Sequence, residues 1–275
     1  MIKGFNYKLY SDLIQIFINE ENIFKISSNT YLFKEYLKDH NFILDKVILN
    51  QLVDENLKLK SKEIYSQIKK SNLNLTNLNS KKYPINFTNI ITYGNNEILK
   101  SNNKIIYVYY NKNFSSNGKN VYNVFMQFLL KEEVTNIFYI NNIEELSKIN
   151  SYESNNIYLV NCYDKENSIE DKFKKIEKIM FNTNNLIIFN NIIGNNNNNI
   201  ELLTVLAEYI IIPEAALQKD IIEISDIFCE LGKDILVAPS NIYQKTSYFS
   251  NYLIKQGCDI ILSTKDIKFY IDKNK

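Results

Sequence analysis

Short apolar runs alternate with stretches of helical periodicity over most of this 275-residue chain. Seven runs rich in Ile, Val, Leu and Tyr predict buried strands at Lys104–Tyr110, Asn136–Ile140, Asn156–Val160, Leu186–Phe189, Tyr209–Pro213, Asp234–Ala238 and Ile260–Leu262. Apolar residues at helical spacing predict helices at Gly118–Lys131, Ile143–Ile149, Ile169–Phe181, Ile200–Ala207, Ile221–Leu231 and Tyr248–Gln256. Strands with interposed helices are typical of a doubly wound α/β fold with a mostly parallel sheet.

The amino-terminal part has a different pattern, in which apolar residues such as Leu9 and Leu13 recur at helical spacing. The first proline, Pro84, ends this pattern, because the residue before a proline is pushed out of the helical region. The sequence therefore predicts a small helical domain over 1–79 and a Rossmann-like domain over 80–275.

Composition and charge bear on the choice of partner. All 32 basic residues are lysine, and the net charge is only +1, so no global basic field indicates nucleic acid. The charge is segregated: residues 51–120 hold eleven lysines against four carboxylates, whereas residues 201–240 hold eight carboxylates against two lysines. A lysine-rich half could attract a polyanion, although a solvated surface explains the same pattern about as well.

The residues of metal and disulfide chemistry are few. Cys162, Cys229 and Cys258 follow no metal or disulfide spacing, and His40 is the single histidine. Neither a leader sequence nor a run of membrane-spanning length is visible. We therefore expect a cytoplasmic protein with no membrane contact, no metal and no cofactor.

Several short motifs occur in an order that resembles the DNA-processing protein A family. The closing pattern of that family, roughly GREVFAVPG, SxGTNxLI and GA, is matched by Gly232-Lys233, Ala238-Pro239-Ser240, Ser247, Asn251-Tyr252-Leu253-Ile254 and Gly257-Cys258. Upstream matches to the family's YP, SxYG, YPxEN and VVEA motifs are Tyr83-Pro84, Ser115 with Gly118, Tyr163–Asn167 and Glu214-Ala215.

The resemblance implies sequence-independent binding of single-stranded DNA during DNA uptake (transformation) and recombination, together with recombinase loading and self-dimerisation. Two considerations select candidate DNA-binding residues: the family resemblance and the need for lysines along a DNA groove. The selected residues are Lys112, Ser115, Gly118, Lys119, Lys245, Ser247 and Asn251. Lys104 could add charge, and Tyr109, Tyr110, Tyr243 and Tyr248 could stack on bases, although ordinary packing explains these tyrosines more simply.

The motifs that contact ligands in the family are altered here. The family's GSR falls on Tyr110-Asn111-Lys112, where Tyr110 replaces the glycine that lets backbone approach a phosphate. Three further loops lack the expected glycine or base, at Asn141–Glu145, Asn199–Glu201 and Lys219–Ile221. DNA binding is therefore expected to be weakened.

Two other function classes stay open. A degenerate paralogue could act as a protein–protein interaction module, with the acidic residues 201–240 as its partner surface and no DNA or nucleotide binding. An enzyme is the less favoured reading, since Glu214 and the pair Asp164 and Glu166 stand without an evident nucleophile–base pair. We expect no catalytic residues.

Overall fold

The computed structural model of the chain describes residues 29–56, 59, 62–63, 66, 73–78, 87–140, 155–161, 184–190 and 199–273. Near the amino terminus, helix α1 (Thr30–Asp39) begins at Asn29, whose side-chain oxygen accepts hydrogen bonds from the backbone N–H groups of the first turn. Helix α2 (Lys46–Val53) follows, and the two share a small apolar core of Phe33, Leu37, Ile48 and Leu52.

The strands that the structure describes form one nine-stranded sheet. Its strands are β1 (Asn74–Leu78), β2 (Phe87–Gly94), β3 (Ile105–Val108), β4 (Thr135–Ile140), β5 (Asn156–Asn161), β6 (Leu186–Asn190), β7 (Tyr209–Ile212), β8 (Asp234–Val237) and β9 (Asp259–Ile260). The spatial order is β1-β2-β6-β5-β4-β3-β7-β8-β9. The strands from β6 to β9 in this order are parallel, whereas β2 runs antiparallel to β6 and β1 antiparallel to β2.

Helices cover both faces of the sheet. On one face α4 (Asn199–Leu206), α5 (Lys219–Glu230) and α6 (Tyr248–Lys255) pack on alternate strand residues such as Ile105 and Tyr107. On the other face α3 (Ser116–Leu129) and α7 (Thr264–Asp272) pack on Ile106 and Val108. Short 3₁₀ helices at Asn96–Lys100 and Lys245–Ser247 complete the described elements. The predicted α/β, doubly wound, mostly parallel fold is confirmed.

All seven predicted strands are present, each within two residues of its predicted bounds. The helices predicted at Gly118–Lys131, Ile200–Ala207, Ile221–Leu231 and Tyr248–Gln256 are also present, as α3, α4, α5 and α6. The helices predicted at Ile143–Ile149 and Ile169–Phe181 lie outside the described residues. The boundary between domains at residues 79 and 80 stays a prediction.

Two parts of the prediction need correction. Helical spacing was expected to continue to about residue 79, but β1 is a strand that pairs with the unpredicted strand β2. The polar residues of both strands hid the pairing, which includes a contact of 3.1 Å between the hydroxyls of Thr76 and Thr92. Helix α7 was also missed, although Ser263 and Asp266 form a capping box at its start, which is a signal visible in the sequence.

The Gly232-Lys233 pair has a clear structural role. Gly232 has a φ of 65° and ends α5, a conformation that glycine adopts without strain. The Lys233 ammonium then donates to the carbonyl oxygens of Thr204, Val205 and Ala207 at 2.6, 2.9 and 2.6 Å, at the carboxyl end of α4. A cation at this position also opposes the partial negative charge of the helix end.

We predict that Lys233→Met lowers the free energy of unfolding by about 2–3 kcal/mol, because three carbonyl groups at the end of α4 lose their donor. Lys219→Met, at an exposed site in the first turn of α5, is the control and should change stability by less than about 0.5 kcal/mol. Urea denaturation measures both values, and equal stability of the two variants would contradict this role of Lys233.

Candidate nucleic-acid interface

The direction in which strands are added to the sheet reverses between β3 and β7. Strands β4, β5 and β6 extend the sheet on one side of β3, whereas β8 and β9 extend it on the other side of β7. In doubly wound sheets, ligands bind at such a switch point, outside the carboxyl ends of the strands. Here the residues at this position come from the loops 109–115 after β3, 213–218 after β7 and 238–247 after β8.

A buried carboxylate lies at the switch point. Glu214, the second residue after β7, is 1% exposed, and its carboxylate accepts four hydrogen bonds. Oε2 accepts from the backbone N–H of Ser115 at 2.7 Å, and Oε1 accepts from the Ser115 hydroxyl at 2.9 Å. The hydroxyls of Ser247 and Thr246 donate to Oε1 at 3.0 and 3.1 Å. Glu214 therefore joins all three loops of the switch point.

Helix α3 begins directly against this carboxylate. The Ser115 hydroxyl caps the helix by accepting a hydrogen bond from the backbone N–H of Gly118 at 3.0 Å. Gly118 has no room for a side chain, because a Cβ atom there would lie 2.9 Å from the carboxyl carbon and 3.0 Å from the Cβ of Glu214. The glycine thus permits Glu214 to lie close to the helix, in the position where helix N-termini bind anions.

The loop after β7 also forms hydrogen bonds with the start of α6. The Ala215 carbonyl oxygen accepts hydrogen bonds from the N–H groups of Phe249 and Ser250 at 2.9 and 3.2 Å. The Ser250 hydroxyl in turn accepts one from the Ala215 N–H at 2.6 Å. Groups of the protein itself therefore bind amides of the first turns of α3 and α6, which other doubly wound proteins offer to phosphates.

Lysine and tyrosine side chains lie around Glu214 and its hydrogen-bond partners. Lys112 and Lys119 lie on the loop before α3 and on its first turn, Lys245 begins the 3₁₀ helix that ends at Ser247, and all three are exposed. Tyr110, which packs edge-on against Phe114, is 52% exposed, and Tyr243 on the β8–α6 loop is 90% exposed. The surface at the carboxyl edge thus combines point charges with exposed rings.

The structure brings three predicted site residues together and places the others around them. Ser115, Gly118 and Ser247 meet at Glu214, whereas the three lysines are exposed at the same edge of the sheet. Asn251 holds the β8 loop, since its Nδ2 donates to the Ser240 carbonyl oxygen at 3.0 Å and its Oδ1 accepts from the Ser240 N–H at 3.3 Å. The assignment of these seven residues to DNA binding stays a prediction.

Two residues suggested for DNA contact are not exposed at this edge. Lys104 lies at the amino edge of the sheet, where its ammonium donates to the Tyr270 carbonyl oxygen at 2.7 Å and to the Tyr209 hydroxyl at 3.2 Å. Tyr109 is 1% exposed, and its hydroxyl accepts from Asn111 at 3.0 Å and donates to Gln218 at 3.4 Å. Burial raises the pKa of Tyr109 to about 12. Neither side chain is available for stacking or phosphate contact.

The sequence analysis did not identify Thr246 as a hydrogen-bond donor to Glu214. It considered Glu214 itself as a candidate catalytic residue. Four donors bond the buried Glu214 carboxylate, three at Oε1 and one at Oε2, which is the environment of a structural carboxylate. Among the described residues, no group of three or more His, Cys, Asp or Glu side chains is arranged to hold a metal ion. His40 ends α1, where its ring stacks on Tyr36 with centroids 4.4 Å apart.

Comparison with known proteins shows that this fold is similar to that of solved structures. No protein-family model matches the sequence, and no curated protein matches it either. The structure is similar to that of DNA processing protein A from Streptococcus pneumoniae, with a TM-score of 0.53 and 16% identity over 90% of this chain and 95% of the other. It is also similar to DNA processing protein A from Helicobacter pylori, in a structure that concerns the protein's single-stranded DNA binding mode.

For the Helicobacter pylori protein the TM-score is 0.52 and the identity 14%, over 74% of this chain and 96% of the other. The chain therefore has a DNA-processing-protein-A-like fold, as the order of its motifs predicts. In the part of the chain that the structure describes, no helix is long and apolar enough to cross a membrane.

We predict that Gly118→Ala lowers the free energy of unfolding by about 1–3 kcal/mol, because the new methyl group must displace the Glu214 carboxylate. The sign is diagnostic, since replacing glycine by alanine within a helix ordinarily raises stability by about 0.5–1 kcal/mol. Asn120→Ala, at an exposed site on the same helix, is the control and should be neutral or stabilising. Chemical denaturation of the three proteins tests this, and a stabilised Gly118→Ala would contradict the close packing of Glu214.

Proposed function

We propose that this protein binds single-stranded DNA without sequence preference along the carboxyl edge of its sheet. The observation that carries the proposal is the position of Lys112, Lys119 and Lys245, which are exposed on segments that Glu214 holds together. A flexible strand of DNA offers a phosphate at each nucleotide, and lysine side chains bind phosphates as point charges.

The mode of binding follows from what occupies the switch point. Glu214 binds the N–H group of Ser115, the residue that caps α3, and Ala215 binds the first turn of α6, so we expect phosphates to contact lysine ammonium groups at this edge. Tyr110 and Tyr243 expose their rings at the same edge, where they can stack on bases of any identity. Such contacts give affinity that depends strongly on salt and little on sequence.

The likeness in fold supports the same reading, because one of the similar structures concerns single-stranded DNA binding. By extension from the motif resemblance, we propose that the protein acts in the cytoplasm in DNA uptake and recombination, that it dimerises, and that it loads a recombinase. We also propose that it acts without catalysis. The burial of Glu214 and its four hydrogen bonds support this last part, since they are typical of a carboxylate that holds loops together.

Fluorescence anisotropy with labelled oligo(dT) of ~30 nucleotides tests the binding surface. We expect the triple variant Lys112→Gln, Lys119→Gln, Lys245→Gln to bind at least about tenfold more weakly near physiological salt. If each lysine contacts one phosphate, the slope of log K against log salt should fall by about 2. The matched control replaces Lys131, Lys255 and Lys273 by Gln; these exposed lysines lie at the carboxyl ends of α3, α6 and α7, on the opposite edge.

Equal losses in the two triple variants would show that net charge, and not this edge, determines binding. Failure of the unmodified protein to bind oligo(dT) even at low salt would refute the proposal. The chain would then be better explained as an interaction module that retains the fold without binding DNA.

A further inference from the structure

Two of the three cysteines, Cys229 and Cys258, lie beside one cavity. Cys229 is the second-last residue of α5, and Cys258 lies between the end of α6 and the start of β9. Both line a cavity of about 620 Å³ on the face of the sheet that these two helices cover. The third cysteine, Cys162, is outside the described residues. The fold thus brings together two thiols that no spacing in the sequence connects.

The two thiols differ in their surroundings. Cys229 is exposed, whereas Cys258 is half-buried and packs against the apolar core on this face of the sheet. Burial, followed by the charge that the neighbouring Cys229 can carry, raises the pKa of the Cys258 thiol to about 11. The thiolate is the reactive form of cysteine, and oxidation favours exposed sulfur atoms. Cys229 is therefore the thiol that an oxidant meets first, with Cys258 as its neighbour.

We propose that Cys229 and Cys258 form a reversible disulfide when the protein reacts with a peroxide. In the first step the Cys229 sulfur attacks a peroxide oxygen, the O–O bond breaks, and a sulfenic acid forms while water or an alcohol leaves. In the second step the Cys258 sulfur attacks the Cys229 sulfur, the S–O bond breaks, and the released hydroxide takes the Cys258 proton and leaves as water. Two thiols are thereby oxidised by two electrons, and one peroxide is reduced.

The chain before Cys258 can adjust to form this bond. A disulfide holds its two Cα atoms within about 7 Å of each other, so the carboxyl ends of α5 and α6 lie side by side once it has formed. Gly257, directly before Cys258, has a φ of 99°, and a Cβ atom there would meet no atom within 4 Å. A glycine turn in open space changes its backbone angles at little cost. The disulfide then ties the ends of the two helices together across the cavity.

The cysteine pair is independent of the proposed DNA surface. Cys229 precedes β8 and Cys258 precedes β9, so both lie at the amino edge of the sheet, whereas Lys112 and Lys245 lie at the carboxyl edge. Failure of the protein to bind DNA therefore leaves the disulfide untouched, and failure to form the disulfide leaves DNA binding untouched. In a cytoplasmic protein such a bond is expected to be transient, because cellular thiols reduce it again.

The test treats the reduced protein with hydrogen peroxide and maps its peptides by mass spectrometry without reductant. We expect two of the three free thiols to disappear and one linked peptide pair to contain Cys229 and Cys258, and dithiothreitol should reverse both changes. Cys162→Ser is the matched control and should form the same bridge. In Cys258→Ser, dimedone should label the sulfenic acid of Cys229, whereas in Cys229→Ser the label at Cys258 should be at least about tenfold weaker.

Three results would overturn the inference. The first is a disulfide that joins Cys229 or Cys258 to Cys162 or to a second copy of the chain in place of the expected pair. The second is oxidation of Cys229 to the sulfinic acid, or no loss of thiols, while circular dichroism shows the protein folded. The third is equal dimedone labelling of the two single variants, which would overturn the order of the two steps.

Discussion

The hydrogen bonds of one carboxylate hold the centre of this molecule together. Glu214 joins the loops after β3, β7 and β8 through Ser115, Thr246 and Ser247, and it does so with 1% of its surface exposed. An ionised group at such a site is stable only when its oxygens are bonded, and here four donors meet that need. The N-terminus of α3 adds a favourable partial charge. The geometry of the whole carboxyl edge therefore depends on Glu214.

Glu214 also restricts how the edge meets a ligand. A doubly wound sheet ordinarily offers helix N-termini to a phosphate at its switch point, but here the chain supplies its own anion. Lysines on the surrounding loops are the cations at this edge for phosphate contact, and the lack of arginine removes bidentate binding. Carboxylates gather instead on α5, which carries Glu223, Asp226 and Glu230.

Much of the fold could be predicted because parallel strands buried on both faces leave continuous apolar runs, such as those of β3 and β7. Strands β1 and β2 were missed because threonine and asparagine interrupt their apolar pattern. The site was predicted only in part. Ser115 and Ser247 were identified, but their common partner lies 99 and 33 positions away in the sequence, and no local pattern encodes such a contact. Likewise, nothing in the sequence around Tyr109 distinguishes its buried ring from the exposed ring of Tyr110.

Photochemical crosslinking of oligo(dT) that contains 5-iodo-deoxyuridine, followed by mass spectrometry of the protein peptides, tests the central claim most directly. The claim is that single-stranded DNA lies along the edge that Glu214 organises. It predicts crosslinks within residues 109–119 and 241–248, with Tyr110 and Tyr243 as acceptors because their exposed rings can stack on the photoactive base. Crosslinks confined to the lysines at the amino edge of the sheet, or to the N-terminal helices, would contradict the claim.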